Sequence, residues 1–462
     1  MGLGLRLIAV FFVGFVGFAA DAAAGWVIVL GQGFEGPLLT TGCDSDPTWY
    51  ERPDPTIAVG PHHITVTVNS HIYIWHKDPL SITPVIHPLN ELLYLDCPGS
   101  GDYYDPRCVY DHYPTEEPYQ NYHGQRFIVT AIWPAAKTVY LAVSGSDPTV
   151  VPWTRYEYVH EGNIDFPGLA YDAVNYYITT RNPVGTESFI HAFWKANPAV
   201  AYHKSVTKGP VMPAIVWDGG PTYEPDPRIE TPYGYFVEAR VGFGNHIRLH
   251  SWNNSLNDYD STFPLSQSGW LPPDGFIEQC NGTIEDKNDD EMETNCVWWG
   301  GDFLYGAHMV NSAAQQKEAV RWYDVQLNQW PDPQRTDDPV MIASGTFPAG
   351  IGAHTFMPGI AVNRYGEMAM VLGTARVLVP PGIGLSGRFV GAPPSEWLPV
   401  VNVKTGLCPP DGRTWGDYFG VAADSSGCSV PEDFWAIAQY WKIEGGQGVW
   451  ATWIQQFHLE WQ

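Results

Sequence analysis

Basic residues are scarce in this chain. Lys and Arg number 24 against 50 Asp and Glu, for a formal net charge of −26. A surface so negative repels phosphate backbones and anionic headgroups, which excludes nucleic acid and acidic membrane as partners. Long apolar runs are missing too. Leu7 to Phe18 falls short of the roughly 20 residues a membrane-crossing helix needs, and no later segment is apolar enough to span. Helix signals are few, and there is no coiled-coil heptad, Gly/Ser linker or low-complexity tract, which removes helical bundles and strings of linked modules. His-Glu-x-x-His, Gly-x-Ser-x-Gly, the Walker loop and the dinucleotide fingerprint are all absent.

What is present is a signature that recurs about every 60 residues, an Asp, often with Pro beside it, then a short apolar run and a turn residue. It reads Asp54-Pro-Thr-Ile-Ala-Val-Gly60, Asp105-Pro-Arg-Cys-Val-Tyr-Asp111, Asp165-Phe-Pro-Gly-Leu-Ala-Tyr-Asp172, Asp226-Pro-Arg-Ile-Glu230 and Asp417-Tyr-Phe-Gly-Val-Ala-Ala-Asp424. A variant, Phe356-Met-Pro-Gly-Ile-Ala-Val-Asn363, carries Phe in place of Asp. The stretch from 226 to 356 is two intervals long, so a further copy is expected near residue 290. Each copy is followed by β-branched and aromatic runs bounded by Gly, Pro or Asn, such as Ile64–Asn69, Thr138–Val143 and Asn175–Thr180. These features predict an all-β chain, a seven-bladed β-propeller of four-stranded blades.

The expected organisation is a signal peptide over residues 1–24 and a single propeller domain over 25–462. The blades begin near 54, 105, 165, 226, 290, 356 and 417. Arg6, the apolar stretch behind it and Ala20 to Ala24 have the layout of a secretion signal, so the protein is expected outside the cell, at its surface or in a periplasm. The fifth blade is expected to start with Cys296-Val-Trp-Trp299. The seventh blade is one strand short, and Trp26-Val-Ile-Val-Leu30 is a strand without a blade, so the N-terminal strand is expected to close the ring and remove its exposed edges.

Seven cysteines occur. An oxidising compartment favours disulfides, and proximity in sequence suggests Cys97–Cys108, Cys280–Cys296 and Cys408–Cys428, with Cys43 left over. Connectivity does not follow from sequence alone.

The first strand of a propeller blade lines the central channel, so equivalent residues of successive blades form a ring at one mouth. Asp54, Asp105, Asp165, Asp226 and Asp417 would gather there. The Asp54, Asp105 and Asp226 copies have one residue fewer before the turn than the Asp165 and Asp417 copies, so the alignment could be off by one. Three readings stay open. The aspartates cap turns, or they share a divalent cation, or two of them in different environments act as acid and base on a glycan. Asp286, Asp290 and Glu293 form a second candidate metal group in an acidic loop, although Glu291 and Val297 stand where an EF-hand needs Gly and Glu. Calcium is the cation expected there; magnesium would serve less well, because it demands tight octahedral geometry. His308 and His354 are candidates for a base or ligand if they reach the mouth, and Trp298 with Trp299 is a candidate platform for a sugar face.

The stretches Gly359–Asn363, Gly387-Arg388, Thr414-Trp-Gly-Asp-Tyr418, Phe434-Trp435 and Arg321-Trp-Tyr323, with Asp105-Pro106 through Arg126-Phe127, resemble a family of secreted proteins of predicted seven-bladed propeller fold. The likeness covers most of residues 54 to 458. It implies fold and secretion and carries no activity. Ser146, Asp147 and Trp153 are distantly similar to the Ser-x-Asp-x-Gly-x-x-Trp turn of sialidase-like propellers, without its Gly. The functional expectation is a secreted propeller that binds or acts on carbohydrate at the channel mouth, as a glycoside hydrolase or polysaccharide lyase if it is an enzyme. The other class is a non-catalytic adhesion or scaffold propeller, calcium-stabilised and bound to a cell-surface protein.

Overall fold

A computed structural model of the protein describes residues 25–461 except 39–51, 70, 78–79, 82, 94–103, 114–124, 184–186, 208–210, 214, 218–232, 240–243, 272–275, 286–294, 300–301, 313–316, 335–336, 348–352, 390–396 and 425–431. Strand predominates among the described residues and helix is almost absent, and none of their helices is long and apolar enough to cross a membrane. The strands form seven blades around an axis. The inner strands are Thr56–Val59, Tyr104–Asp111, Asp165–Tyr171, Val211–Pro213, Asn295–Trp299, Ala353–Val362 and Gly420–Ala423. Each touches the inner strand before and after it, and Gly420–Ala423 touches Thr56–Val59, so the ring is complete.

Closure follows the sequence expectation and runs further. Trp26–Leu38 pairs antiparallel with Gln447–Trp461, from Trp26 opposite Trp461 to Leu38 opposite Ala451. Trp26 packs on Phe389 of the sixth blade, and Phe34 lies near Trp75 of the first blade and Trp435 of the seventh. The strand therefore supplies the outer edge of the seventh blade and apolar contacts to both its neighbours.

Aromatic and β-branched residues interleave between blades. Ile57, Val66 and Trp75 of the first blade bury against Trp435, Ile437 and Ile454 of the seventh. Each such side chain contributes about 1.5–3 kcal/mol by leaving water. Buried and partly buried ion pairs cross the blade boundaries as well. Lys195 of the third blade bonds Asp111 of the second at 2.6 Å, Arg388 of the sixth bonds Asp324 of the fifth, and Lys77 of the first bonds Asp424 of the seventh at 2.5 Å.

Two details depart from the sequence reading. The inner strand of the fourth blade, Val211–Pro213, precedes Asp226, which lies outside the described residues. Immediately after it, Ile215–Trp217 crosses to pair in parallel with Asn295–Trp299, so the fifth blade gains an extra strand.

The cysteine pairing is corrected. Cys280 is bonded to Cys408, 128 residues away, and not to Cys296; Cys408 is accordingly not bonded to Cys428. The cause is a small third-party sheet. The hairpin Phe276–Gln279 and Gly282–Glu285 pairs in parallel with Arg413–Thr414 and carries Cys280 beside Cys408. Cys108 is not bonded to Cys97. It is a free thiol buried in the inner strand of the second blade, with Thr56 Oγ1 3.4 Å from its Sγ. Burial pushes that thiol up to about 11. Cys43, Cys97 and Cys428 lie outside the described residues, as does the side chain of Cys296.

Deleting residues 25–38 should lower Tm by more than roughly 10 °C, because the last blade loses an edge strand and two neighbours lose apolar cover. A Tm unchanged in a thermal melt would contradict closure. Non-reducing peptide mapping should recover the Cys280–Cys408 pair, and iodoacetamide at pH 8 should label Cys108 only after unfolding, since the thiolate is the reactive form.

Candidate functional site

The signature has two acidic ends, and they do different work. The second acid closes a turn at the far end of the inner strand. Asp172 Oδ1 accepts the amides of Val174 and Asn175 at 2.7 and 2.8 Å. Asn363 Oδ1 accepts those of Tyr365 and Glu367, and Asp111 Oδ1 that of Tyr113. These are the turn-capping roles expected of short polar side chains.

The first acid behaves otherwise. Asp54, Asp105 and Asp417 each place a carboxylate oxygen within 4.8 Å of the others. Asp165 stands close enough for its charge to act on Asp105. Three of the five aspartates expected together thus converge, Asp165 is near enough to act on them, and Asp226 lies outside the described residues. The sixth blade brings Phe356 instead, buried edge-on against Trp415 at 5.0 Å.

Backbone geometry explains how two spacings reach one point. Asp54 and Asp105 are left-handed, with φ of 44° and 53°, and so are Phe166 and Met357, at 56° and 49°. Each of the four precedes a Pro: Pro55, Pro106, Pro167 and Pro358. The register slips at this step in the second, third and sixth blades. Asp54 and Asp105 therefore occupy the left-handed position itself, while Asp165 stands one residue before it. Asp tolerates this conformation better than most side chains because it bonds locally.

Asp54 is buried, and its carboxylate accepts the backbone amide of Asp417 at 2.6 Å and Asn69 Nδ2 at 3.0 Å. Arg52 pairs with Asp417. A Cβ on Gly416 would come within 2.7 Å of Asp54 Oδ1, so this approach requires glycine there. Arg181 sits opposite Asp165 in the register of the third blade. Arg107 donates from Nε to Pro167 O at 3.0 Å and lays its guanidinium on the Tyr418 ring, 3.2 Å from its centroid.

Four carboxylates in so small a space cannot all ionise cheaply. Burial, then the charge of Asp417, raises Asp54 to about 7, opposed by Arg52 and the two hydrogen bonds. Burial, then Asp165, Asp54 and Asp417, raises Asp105 well above the carboxylate range. Burial also raises Asp165, where Arg181 and the Phe166 amide work against it. The cluster therefore sets two carboxyl groups that keep their protons to higher pH beside Asp417, which Arg52 contacts.

The other expected residues are placed elsewhere or not described. His308 is fully buried in the second strand of the fifth blade, opposite Arg321, and burial lowers it to about 3. His354 starts the inner strand of the sixth blade and accepts the Glu278 amide at 3.3 Å from the small sheet. Neither belongs to the converging group of Asp54, Asp105 and Asp417. Trp298 and Trp299 have their backbone in the inner strand of the fifth blade, and their side chains lie outside the described residues, as do Asp286, Asp290 and Glu293. The sequence reading missed Arg52, Arg107, Arg181 and Tyr418. Arg52 and Arg107 each lie two residues from a repeat Asp, and Tyr418 follows one, which was the available signal.

Folding raises the pKa of Asp105, so the native chain holds a proton that the unfolded chain releases. That contribution is complete below about pH 4 and is lost as pH rises towards the raised value. Asp105→Asn should therefore leave Tm nearly unchanged at pH 4.5, within about 1 °C, and raise it by several degrees at pH 8 in the presence of chelator. An equal effect at both values, read by differential scanning fluorimetry, would contradict the assignment.

No protein-family model and no curated protein matches the chain. Among solved structures, it is similar to the Dos1 propeller at 6% identity and TM-score 0.39, covering 93% of this chain and 95% of that one. The WD40 domain of SCAP from fission yeast gives 8% identity and TM-score 0.38, with 87% and 81% covered. The subtype N11 neuraminidase-like protein of A/flat-faced bat/Peru/033/2010 gives 11% identity and TM-score 0.38, with 93% of each chain covered.

Proposed function

We propose that the protein is a secreted propeller whose acidic channel mouth is a carbohydrate site. The observation that carries this reading is the convergence of Asp54, Asp105 and Asp417 oxygens within 4.8 Å, with Arg52 against one of them. A sugar presents hydroxyls that both donate and accept. Asp105, held protonated, donates to it, and Asp417, paired with Arg52, accepts from it. Two carboxyl groups in unlike environments are also what general acid and partner require in glycoside cleavage. Their separation is nearer the roughly 5–5.5 Å of retaining enzymes than the wider spacing of inverting ones. In that role Asp105 is the proton donor and Asp417 the nucleophile or charge stabiliser. The secretion-signal layout of residues 1–24 would place such a site before extracellular glycans.

A second reading rests on the same three oxygens. Hard cations take 6–8 oxygen ligands at about 2.3–2.6 Å, so carboxylate oxygens this close can share one ion. Calcium held there would lower the cost of ionising all three aspartates and stabilise a non-catalytic scaffold that meets a cell-surface protein.

A glycan array with a polysaccharide-release assay separates the readings. Binding lost by tenfold or more in Asp105→Asn and Asp417→Asn, with or without release of reducing ends, supports the carbohydrate site; tenfold corresponds to about 1.4 kcal/mol. No glycan binding, together with a calcium-dependent rise in Tm that both variants abolish, supports the scaffold.

A further inference from the structure

A second cluster of side chains lies away from the axis, where the outer edges of the second and third blades meet. His160 follows the outermost strand of the second blade, Thr154–Val159. His191 and His203 belong to the last two strands of the third blade and stand directly opposite each other in register. The ring centroids are 5.0 Å apart for His160 and His203, 5.1 Å for His191 and His203, and 6.0 Å for His160 and His191. Tyr158 lies 5.0 Å from His191 and 5.3 Å from His203. A cavity of about 650 Å³ opens beside them, lined by Tyr158, His160, Glu161 and His203 among others.

Three imidazoles packed together without an acid between them are unusual as mere filling, because each carries a donor and an acceptor to satisfy. His191 is fully buried, yet its Nδ1 has no hydrogen-bond partner, and neither has the buried Nε2 of His203. Two further nitrogens are held. His191 Nε2 meets Thr180 Oγ1 at 3.0 Å. His160 Nδ1 accepts the Gly162 amide at 2.9 Å and also lies 3.0 Å from the Gly162 carbonyl; a metal at Nε2 would select the tautomer in which Nδ1 donates to that carbonyl. In His191 one nitrogen is tied to a hydroxyl and the other is left open, the arrangement of a metal-ligating histidine. Burial and the two neighbouring rings also disfavour the charged form of His191, so it is neutral, as a ligand must be.

The spacing fits as well. With metal–nitrogen bonds of about 2.0–2.1 Å, tetrahedral ligation by three imidazoles puts ring centroids about 5 Å apart. As they stand, His191 and His203 are stacked at 28° and His160 is edge-on to both. Turns about χ2, a soft torsion for imidazole, aim the open nitrogens at a common point.

We propose that His160, His191 and His203 bind one borderline divalent transition ion, zinc in the first instance, with the fourth position facing the cavity and filled by Glu161 or water. Imidazole nitrogen suits this class of ion and not calcium. The site is therefore chemically separate from the aspartates at the mouth.

The full chain, stripped with chelator and dialysed, is titrated with zinc chloride by calorimetry and then loaded with cobalt(II). One zinc per chain and a visible cobalt spectrum of tetrahedral nitrogen ligation are expected in the wild type, unchanged in Asp105→Asn/Asp417→Asn. His191→Phe/His203→Phe, which keeps ring volume, should lose at least about 100-fold in zinc affinity and the cobalt bands. His203→Gln, on an outer strand, repeats the test if the double variant does not fold. The proposal is overturned if the wild type binds neither ion, or if the folded histidine variants bind as the wild type does.

Discussion

The pairing of Trp26–Leu38 with Gln447–Trp461 is the contact on which the molecule depends. A ring of blades has no hierarchy, since each blade is held mainly by the two beside it. An open ring would expose two sheet faces and unpaired edge strands, which invite association with other chains. Joining the N-terminal strand to the C-terminal blade turns a local, repeated interaction into a cooperative whole. It also fixes the seventh blade against the first, and so brings Asp417 to Asp54. The acidic mouth exists only because the ring closes at that junction: the Asp417 amide bonds the Asp54 carboxylate across it at 2.6 Å.

The mouth in turn shows what repetition costs. Repetition of one motif around a ring brings its first side chain towards one axis blade after blade. Were all of them ionised aspartates, their repulsion would be prohibitive in so little water. The chain answers in three ways. The sixth blade substitutes Phe356, packed against Trp415. Arg52 and Arg181 are set against Asp417 and Asp165. Asp54 and Asp105 remain, and their protons are retained to higher pH. A site with mixed protonation follows from symmetry and burial before any ligand is considered.

Strands, blade number, ring closure and the approach of Asp54, Asp105 and Asp417 could be read from the sequence, because each is a periodic property that repetition amplifies. Even the one-residue offset between the Asp54 and Asp165 copies has its physical counterpart in the left-handed step before proline. What could not be read is what periodicity does not encode. Cys280 meets Cys408 through a small sheet outside the repeat, so neighbours in sequence were the wrong guide. The inner strand of the fourth blade precedes its Asp instead of following it. The histidine cluster joins residues 160, 191 and 203 across a blade boundary; only the pairing of 191 with 203 in a hairpin register could have been anticipated.

The central claim is that ring closure forces carboxyl groups together at the mouth and keeps at least one protonated near neutrality. Infrared difference spectroscopy of the wild type against Asp105→Asn reads this directly, since a protonated carboxyl has its own carbonyl stretch. The account predicts that band at pH 6.5 in chelator-treated protein, a weaker band in the variant, where Asp54 still contributes, and its disappearance from the wild type in strong alkali. A wild-type spectrum at pH 6.5 with carboxylate bands alone would contradict it.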